Sequence, residues 1–108
     1  MTNNDKVPEL TNGDFDKFIT EGVVLIDFFA DWCMPCMMMA PVIDDLSEKF
    51  SGKVKIGKVN VAEEQEIASK FGINSIPAFR VFKDGKIIDE FVGAVSAEEL
   101  EEKLNSYL

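Results

Sequence analysis

Two cysteines, Cys33 and Cys36, are the residues of this sequence whose type and spacing most directly imply chemistry. They lie three positions apart, and on a helix residues at that separation are neighbours, with Cβ atoms about 5–6 Å apart. A disulfide holds its two Cβ atoms roughly 3.8 Å apart, so only a small local adjustment separates the open pair from the closed pair. The spacing therefore predicts a Cys33–Cys36 redox disulfide that opens and closes without unfolding the chain.

The pair stands at a predicted helix start, which indicates different roles for the two sulfur atoms. Unpaired backbone N–H groups at a helix N-terminus stabilise a thiolate, and this favours Cys33 as the nucleophile. We expect Cys33 to be exposed at the rim and Cys36, one turn further on, to be buried on the apolar side of the helix. Cys33 would then attack a substrate disulfide, and Cys36 would resolve the mixed disulfide.

Other interpretations of the cysteine pair are weaker or stay open. A structural zinc site needs four ligands, whereas the sequence contains two cysteines and no histidine. A permanent staple across so short a loop would stabilise the fold little. A copper(I)-binding module, with Cys33, Cys36 and a methionine as ligands, stays open because thiolates and thioethers suit that ion. It leaves Trp32 and Pro35 without a role, so we prefer redox chemistry and expect neither a metal nor a cofactor.

Length and charge limit the remaining possibilities. The 108 residues fit a single domain, 1–108, and an apolar share of 46% is enough for a core. The net charge of −9 argues against nucleic-acid binding, which needs Lys and Arg, and it suits a monomer. Residues 1–6 form a polar tail without a secretory signal, and no apolar run approaches the roughly 20 residues of a membrane-spanning helix. We therefore expect a cytoplasmic protein with no membrane partner.

Alternating strand and helix patterns surround the pair and must position it. Val23–Ala30 is apolar on both alternating faces, which is typical of a strand covered on both sides. The helix after it carries apolar residues at steps of three and four, namely Cys36, Met39, Ile43, Leu46 and Phe50. The predicted order is strand 7–10, a helix capped at Thr11 or Asn12 and ended by Glu21-Gly22, strand 23–30, helix 33–50, strand 54–61, helix 63–71, strands 78–82 and 87–92, and a helix capped at Ser96. This order predicts an α/β fold with a mixed five-stranded sheet flanked by about four helices.

Two local motifs support the second half of this arrangement. Asp84-Gly85 between two β-rich runs predicts a tight hairpin. If those two residues form the loop, Arg80 lies opposite Asp89, and this pair would help to fix the register. Ser96 and Glu99 have the spacing of a capping box, which predicts the start of the last helix.

Asp27 interrupts the apolar run of the predicted buried strand and is a further residue with possible chemistry. Burial without a partner raises the pKa of a carboxyl group and would let Asp27 pass a proton. The alternative is an acid that reaches a sheet edge or is hydrogen-bonded for structure. The residues alone leave both interpretations open.

Several motifs, taken together and in this order, resemble the thioredoxin family. They are Asp27, Asp31-Trp32-Cys33-Met34-Pro35-Cys36, Ala40-Pro41, Ser75-Ile76-Pro77, Phe82-Lys83-Asp84-Gly85 and Val92-Gly93. The resemblance extends from about Val7 to the C-terminus. It implies a thioredoxin fold, dithiol–disulfide exchange on client proteins that contain disulfides, and electrons supplied by a thioredoxin reductase.

The resemblance also implies roles for single residues. Cys33 corresponds to the nucleophile, Cys36 to the resolving thiol, and Asp27 to the buried acid that assists proton transfer at Cys36. Lys58 corresponds to a lysine near that acid, and the equal alternative is a lysine whose stem covers apolar surface. Pro77 corresponds to a cis proline, whereas X-Pro bonds in folded proteins are cis in only about 5–6% of cases.

Six positions are predicted to bind the substrate: Trp32, Met34, Pro35, Ile76, Pro77 and Gly93. The resemblance implies that Ile76 pairs with substrate backbone. Trp32 would act as an aromatic anchor, Met34 and Met37 would offer an adaptable apolar surface, and Gly93 would let a substrate backbone approach. The alternatives are a tryptophan packed on the strand end, methionines that only fill the helix, and a turn glycine.

The sequence departs from the family pattern at a few positions. Met34 stands where glycine is usual, Met37 where a basic residue is usual, Phe29 where many members have tryptophan, and Ala62 where aspartate is common. These departures leave the redox potential and the preferred clients open. Strongly oxidising relatives have histidine where Pro35 stands, and this difference favours a reductase.

Overall fold

The computed structural model describes residues 7–108, and the predicted tail over residues 1–6 lies outside the described residues. Four helices and four strands make up the described part of the chain. In order they are α1 (Phe15–Phe18), β1 (Val23–Phe29), α2 (Met34–Lys49), β2 (Val54–Asn60), α3 (Gln65–Lys70), β3 (Ala78–Lys83), β4 (Lys86–Val92) and α4 (Ala97–Ser106). From β1 onward, each predicted element is confirmed within a few residues.

The strands form one mixed sheet in the order β2-β1-β3-β4. β1 pairs parallel with β2 and antiparallel with β3, and β3 pairs antiparallel with β4. Every residue of β1 is buried, because one apolar cluster with α2 and α4 covers one face of the sheet and a second cluster with α1 and α3 covers the other. The strand covered on both sides is thus confirmed.

The prediction of a fifth strand over residues 7–10 is wrong for the described residues. This segment makes a single parallel bridge, Glu9 to Lys58, at the free edge of β2. The N–H of Leu10 donates to the carbonyl of Lys58 at 2.8 Å, and the N–H of Lys58 donates to the carbonyl of Pro8 at 3.0 Å. Pro8 has no N–H to extend the ladder, which limits pairing to this short contact.

The first helix is shorter than predicted, because its N-cap is Asp14 instead of Thr11 or Asn12. The carboxylate of Asp14 accepts hydrogen bonds from the N–H of Thr11 at 3.3 Å and from its hydroxyl at 2.9 Å. Such side-chain contacts offer the backbone an alternative to the helix. Residues 11–14 therefore form a turn that leads into α1.

The helix α2 begins directly after Cys33 and buries the predicted apolar stripe. Its buried residues are Cys36, Met39, Ile43 and Leu46, and Phe50 at the C-cap is also buried. This stripe packs α2 against the sheet and fixes the direction of its N-terminus, where the cysteines lie.

The hairpin between β3 and β4 confirms the Asp84-Gly85 loop but corrects the register. Asp84 and Gly85 have φ values of 51° and 88°, as the tightest hairpin turns require. A bulge between Val81 and Phe82 shifts the pairing, so Arg80 lies opposite Glu90 and not opposite Asp89. An extra residue in one strand moves every later pair by one position.

The last helix begins as its sequence predicts. The N–H of Glu99 donates to the hydroxyl of Ser96 at 3.1 Å, which caps α4. Leu100 and Leu104 are fully buried against the same face of the sheet as α2. The helix therefore completes the layer that supports the cysteine-bearing helix.

Candidate active site

Cys33 and Cys36 are joined by a disulfide at the N-terminus of α2, with their Cα atoms 5.3 Å apart. Cys33 is the N-cap residue, in an extended conformation, and Cys36 lies in the first turn. The N–H of Cys36 donates to the sulfur of Cys33 at 3.3 Å. A backbone donor and the positive end of the helix dipole both face this one sulfur atom, so negative charge is stabilised on Cys33.

The expectation that Cys33 is exposed is wrong for this disulfide state. Its exposed fraction is 5%, and that of Cys36 is 4%. The sulfur of Cys33 is bonded to Cys36, and the residue packs in a small cluster with Phe29, Ala30 and the half-buried Ile76. Exposure therefore does not distinguish the two cysteines, and the hydrogen bond to Cys33 does.

Asp27 lies in the middle of β1, between Lys58 of β2 and Phe79 of β3. It is 6% exposed. Burial raises the pKa of its carboxyl group from 3.8 to about 7, and the positive charge of Lys58 opposes this rise. Asp27 is therefore able to exchange a proton near neutral pH.

A cavity of about 40 Å³ connects Asp27 to the cysteine pair, since Asp27 and Cys36 both line it. Met37 and Lys58 contribute to its walls, together with the half-buried Asp44 of α2. A water molecule needs at least ~10–15 Å³ and polar partners, so this cavity has room for one between the carboxyl group and Cys36. Sequence reasoning missed Asp44, although an acid two turns after Cys36 on the same side of the helix was a usable signal.

Lys58 is half-buried. It shows features of both interpretations, the lysine near the buried acid and the lysine whose stem covers apolar surface. Its ammonium group lies 5.6 Å from the centre of the Phe29 ring, so the side chain covers apolar surface. The same charge lowers the pKa of Asp27. Lys58 thus belongs to the surroundings of Asp27 without removing the large effect of burial.

The other predicted residues surround the disulfide from two directions. Trp32 and Met34 are exposed next to Cys33 in the chain, and so is Pro35 in the first turn of α2. The Ile76–Pro77 peptide bond is cis, and Ile76 packs against the cysteine cluster.

The loop after β4 reaches the same place. The N–H of Gly93 donates to the carbonyl of Pro77 at 2.8 Å, and Gly93 has a φ of 99°. Such a backbone conformation favours glycine. The structure therefore brings the start of α2, the Ile76-Pro77 loop and Gly93 to one end of the sheet.

Comparisons with known proteins agree with this arrangement. The Thioredoxin family model matches residues 6–106. The chain is 43% identical to the thioredoxin of Bacillus subtilis over 102 residues, which cover 94% of this chain and 98% of that protein. It is 44% identical over 103 residues to the thioredoxin of Synechocystis, covering 94% and 96% of the two chains. Thioredoxin 1 of Nostoc is 46% identical over 102 residues, covering 93% of this chain and 95% of that one. The chain belongs to the thioredoxin family.

Membership of the thioredoxin family establishes the chemistry of the cysteine pair. The protein is a protein-disulfide oxidoreductase with a redox-active centre, and it exchanges electrons with disulfide-containing clients and with a reductase. Within residues 7–108, no group of three or more His, Cys, Asp or Glu side chains is placed to hold a metal ion. No helix in this part of the chain has the length and apolar character needed to cross a membrane.

Proposed function

We propose that this thioredoxin-family protein works as a disulfide reductase in which Cys33 is the nucleophile and Cys36 the resolving thiol. The observation that carries this assignment is the hydrogen bond from the N–H of Cys36 to the sulfur of Cys33 at the helix N-terminus. In the reduced protein this donor stabilises a thiolate on Cys33. Cys36, inside the first turn, is then the thiol left to resolve the mixed disulfide.

The reaction then takes two exchange steps. The Cys33 thiolate attacks one sulfur of the client disulfide, and the other client sulfur leaves as a thiolate. Cys36 next loses its proton and attacks the sulfur of Cys33, and the second client sulfur leaves. Two electrons have passed to the client, and the protein ends with the Cys33–Cys36 disulfide present in this structure.

We assign to Asp27 the role of the general base that accepts the proton of Cys36 in the second step. Its pKa of about 7 and the shared cavity support this role, because a general base is most effective when its pKa lies near the working pH. Lys58, opposite Asp27 in the sheet, acts as a positioning residue whose charge limits the rise of that pKa.

We further assign client binding to the surface around the disulfide. Trp32, Met34 and Pro35 supply exposed contacts on one side. The Ile76-Pro77 loop, which the hydrogen bond from the N–H of Gly93 to the carbonyl of Pro77 holds in place, lies on the other. An extended client segment that crosses Ile76 would present its disulfide to Cys33, because Ile76 packs beside that residue.

The remaining assignments follow from charge and composition. The net charge of −9 supports a monomer that binds neither nucleic acid nor membranes. We propose a cytoplasmic protein that acts as one thioredoxin domain over residues 1–108 and needs no cofactor. Pro35, in place of the histidine of strongly oxidising relatives, supports the reductive direction.

Trapping of mixed disulfides tests the two cysteine roles. Cys36→Ser removes the resolving thiol, so the variant should accumulate a covalent complex with a client through Cys33, visible on a non-reducing gel and lost on adding a dithiol. Cys33→Ser is the matched control and should trap nothing. Equal trapping by the two variants, or trapping only by Cys33→Ser, would reverse the assignment.

A further inference from the structure

Three methionines form an exposed patch beside the disulfide, and we call Met34, Met37 and Met38 the methionine patch. Met34 is 69% exposed and Met38 is 72% exposed. Met39, in the same turn of α2, is only 4% exposed because it belongs to the core. Methionines that are close together on one helix thus differ in exposure: Met34 and Met38 are open to solvent, and Met39 is buried.

The members of the patch differ in their distance along the helix from Cys33. Met34 follows Cys33 directly and is the first residue of α2. Met38 lies four residues later, on the same side of the helix but one turn further from the disulfide. Met37 lines the cavity that holds Asp27. Met34 and Met38 therefore share exposure and helix face and differ in their place relative to the nucleophile.

The sulfur atoms next to the site differ in their access to oxidants. Cys33 and Cys36 are buried and already joined in the disulfide state, so the thioethers are the accessible sulfur. A peroxide transfers one oxygen atom to a methionine sulfur: its O–O bond breaks, the sulfur loses two electrons, and water or an alcohol leaves. The product is a sulfoxide, which is polar where the thioether was apolar.

We propose that Met34 is an oxidation site at which a peroxide weakens the binding of protein clients while the cysteine couple stays usable. A sulfoxide at Met34 places a polar group on the surface that a client must cover next to Cys33, and desolvating that group opposes docking. A sulfoxide at Met38 lies outside that contact. The inference rests on the client-binding surface assigned above.

The experiment uses the full chain in its disulfide form. The protein is treated with hydrogen peroxide, the peroxide is removed, and the disulfide is opened with a dithiol, which leaves methionine sulfoxide in place. Peptide mass mapping should find oxygen on Met34 and Met38 and none on Met39. The Michaelis constant for a protein disulfide such as insulin should rise by about five- to tenfold, the loss expected for one apolar contact.

Two measurements separate docking from general damage. Turnover of a small-molecule disulfide, which does not cover Met34, should change less than twofold, and methionine sulfoxide reductases should restore the Michaelis constant for insulin. The Michaelis constant for insulin is then compared before and after peroxide within each variant, and this comparison identifies the methionine whose oxidation raises it. Met34→Leu keeps an apolar side chain without an oxidisable sulfur and should lose the peroxide effect, whereas Met38→Leu, the matched control, should retain it.

Several results would overturn the inference. They are an unmodified Met34, an unchanged Michaelis constant for insulin when Met34 carries oxygen, a peroxide effect that persists in Met34→Leu, and an equal loss of turnover with the small disulfide. Failure of the untreated protein to reduce insulin would instead contradict the proposed reductase function. The two failures are therefore distinguishable in the same set of assays.

Discussion

At the scale of single residues, the site contains two ionisable groups, and the fold favours the charged form of one and disfavours the charged form of the other. The sulfur of Cys33 receives a backbone N–H donor at the start of a helix, which favours its charged form. The carboxyl group of Asp27 is enclosed in the sheet, which disfavours its charged form. In the proposed mechanism, the first effect supplies the nucleophile, and the second supplies a base that is still partly protonated near pH 7.

Asp27→Asn should stabilise the protein at alkaline pH. The pKa of Asp27 is raised from 3.8 unfolded to about 7 folded, so between these values the unfolded chain releases a proton that the folded chain keeps. Stability therefore falls as the pH rises through that window, by up to about 4 kcal/mol at 1.36 kcal/mol per pKa unit. Urea unfolding at pH 4 and pH 8 measures this loss, which should be largely absent in the variant.

The matched control for this substitution is Asp45→Asn, which changes an exposed acid on α2. It should leave the fall in the free energy of unfolding between the two pH values intact. If Asp27→Asn retained the same fall as the unmodified protein, the raised pKa of Asp27 would be contradicted.

The sequence predicts the burial of Asp27 and misses the burial of Cys33, because the surroundings of the two residues have different origins. The burial of Asp27 follows from its own strand, whose neighbours on both sides are apolar. Cys33 is buried by its disulfide to Cys36 and in a cluster that Ile76 packs against, and Ile76 comes from a loop more than 40 residues later in the sequence. Sequence patterns predict burial that follows from local periodicity, and they do not predict contacts between segments that are far apart in the chain.

At the scale of elements, the close approach of the first segment to β2 depends on a glycine. A Cβ atom at Gly57 would lie 2.8 Å from Cδ1 of Leu10 and 2.9 Å from Cε2 of Phe18. Leu10 is itself buried. A side chain at position 57 would therefore force the Leu10 and Phe18 side chains to shift from their places against β2.

Gly57→Ala should destabilise the fold. Overpacking costs about 1–3 kcal/mol, which exceeds the roughly 0.5–1 kcal/mol gained when alanine replaces a glycine inside a strand. The free energy of unfolding from urea titration measures the change. Gly13→Ala is the control, since a Cβ atom there meets nothing within 4 Å, and it should be neutral or slightly stabilising. A stability of Gly57→Ala equal to that of this control would contradict the close packing.

The same contrast between local and distant causes explains which elements the sequence predicts. The buried β1 and the apolar stripe of α2 are visible as periodicities in the chain itself. The bulge that moves Arg80 opposite Glu90 has no such signal, because the Asp84-Gly85 loop is compatible with either register. Pro8 does carry a signal, a missing donor, which explains why the pairing of its segment with β2 is short.

At the scale of the whole molecule, strand directions gather the site from segments that are far apart in the sequence. β3 runs antiparallel to β1, so its first residue, Ala78, lies beside Phe28 near the end of β1. β4 runs antiparallel to β3, so Val92 lies beside Ala78. The cysteine-bearing helix, the Ile76-Pro77 loop and Gly93 therefore meet at one end of the sheet. Residue patterns alone predict the elements, whereas this meeting point was implied only by the family resemblance.

The midpoint potential of the Cys33–Cys36 couple tests the central claim most directly. Equilibration of the protein against a defined thiol–disulfide buffer, with the reduced fraction measured at each ratio, gives this potential. A reductase of this family should have a midpoint potential of about −270 mV. A value between roughly −180 and −120 mV is typical of an isomerase or an oxidant, and it would contradict the proposed reductive direction.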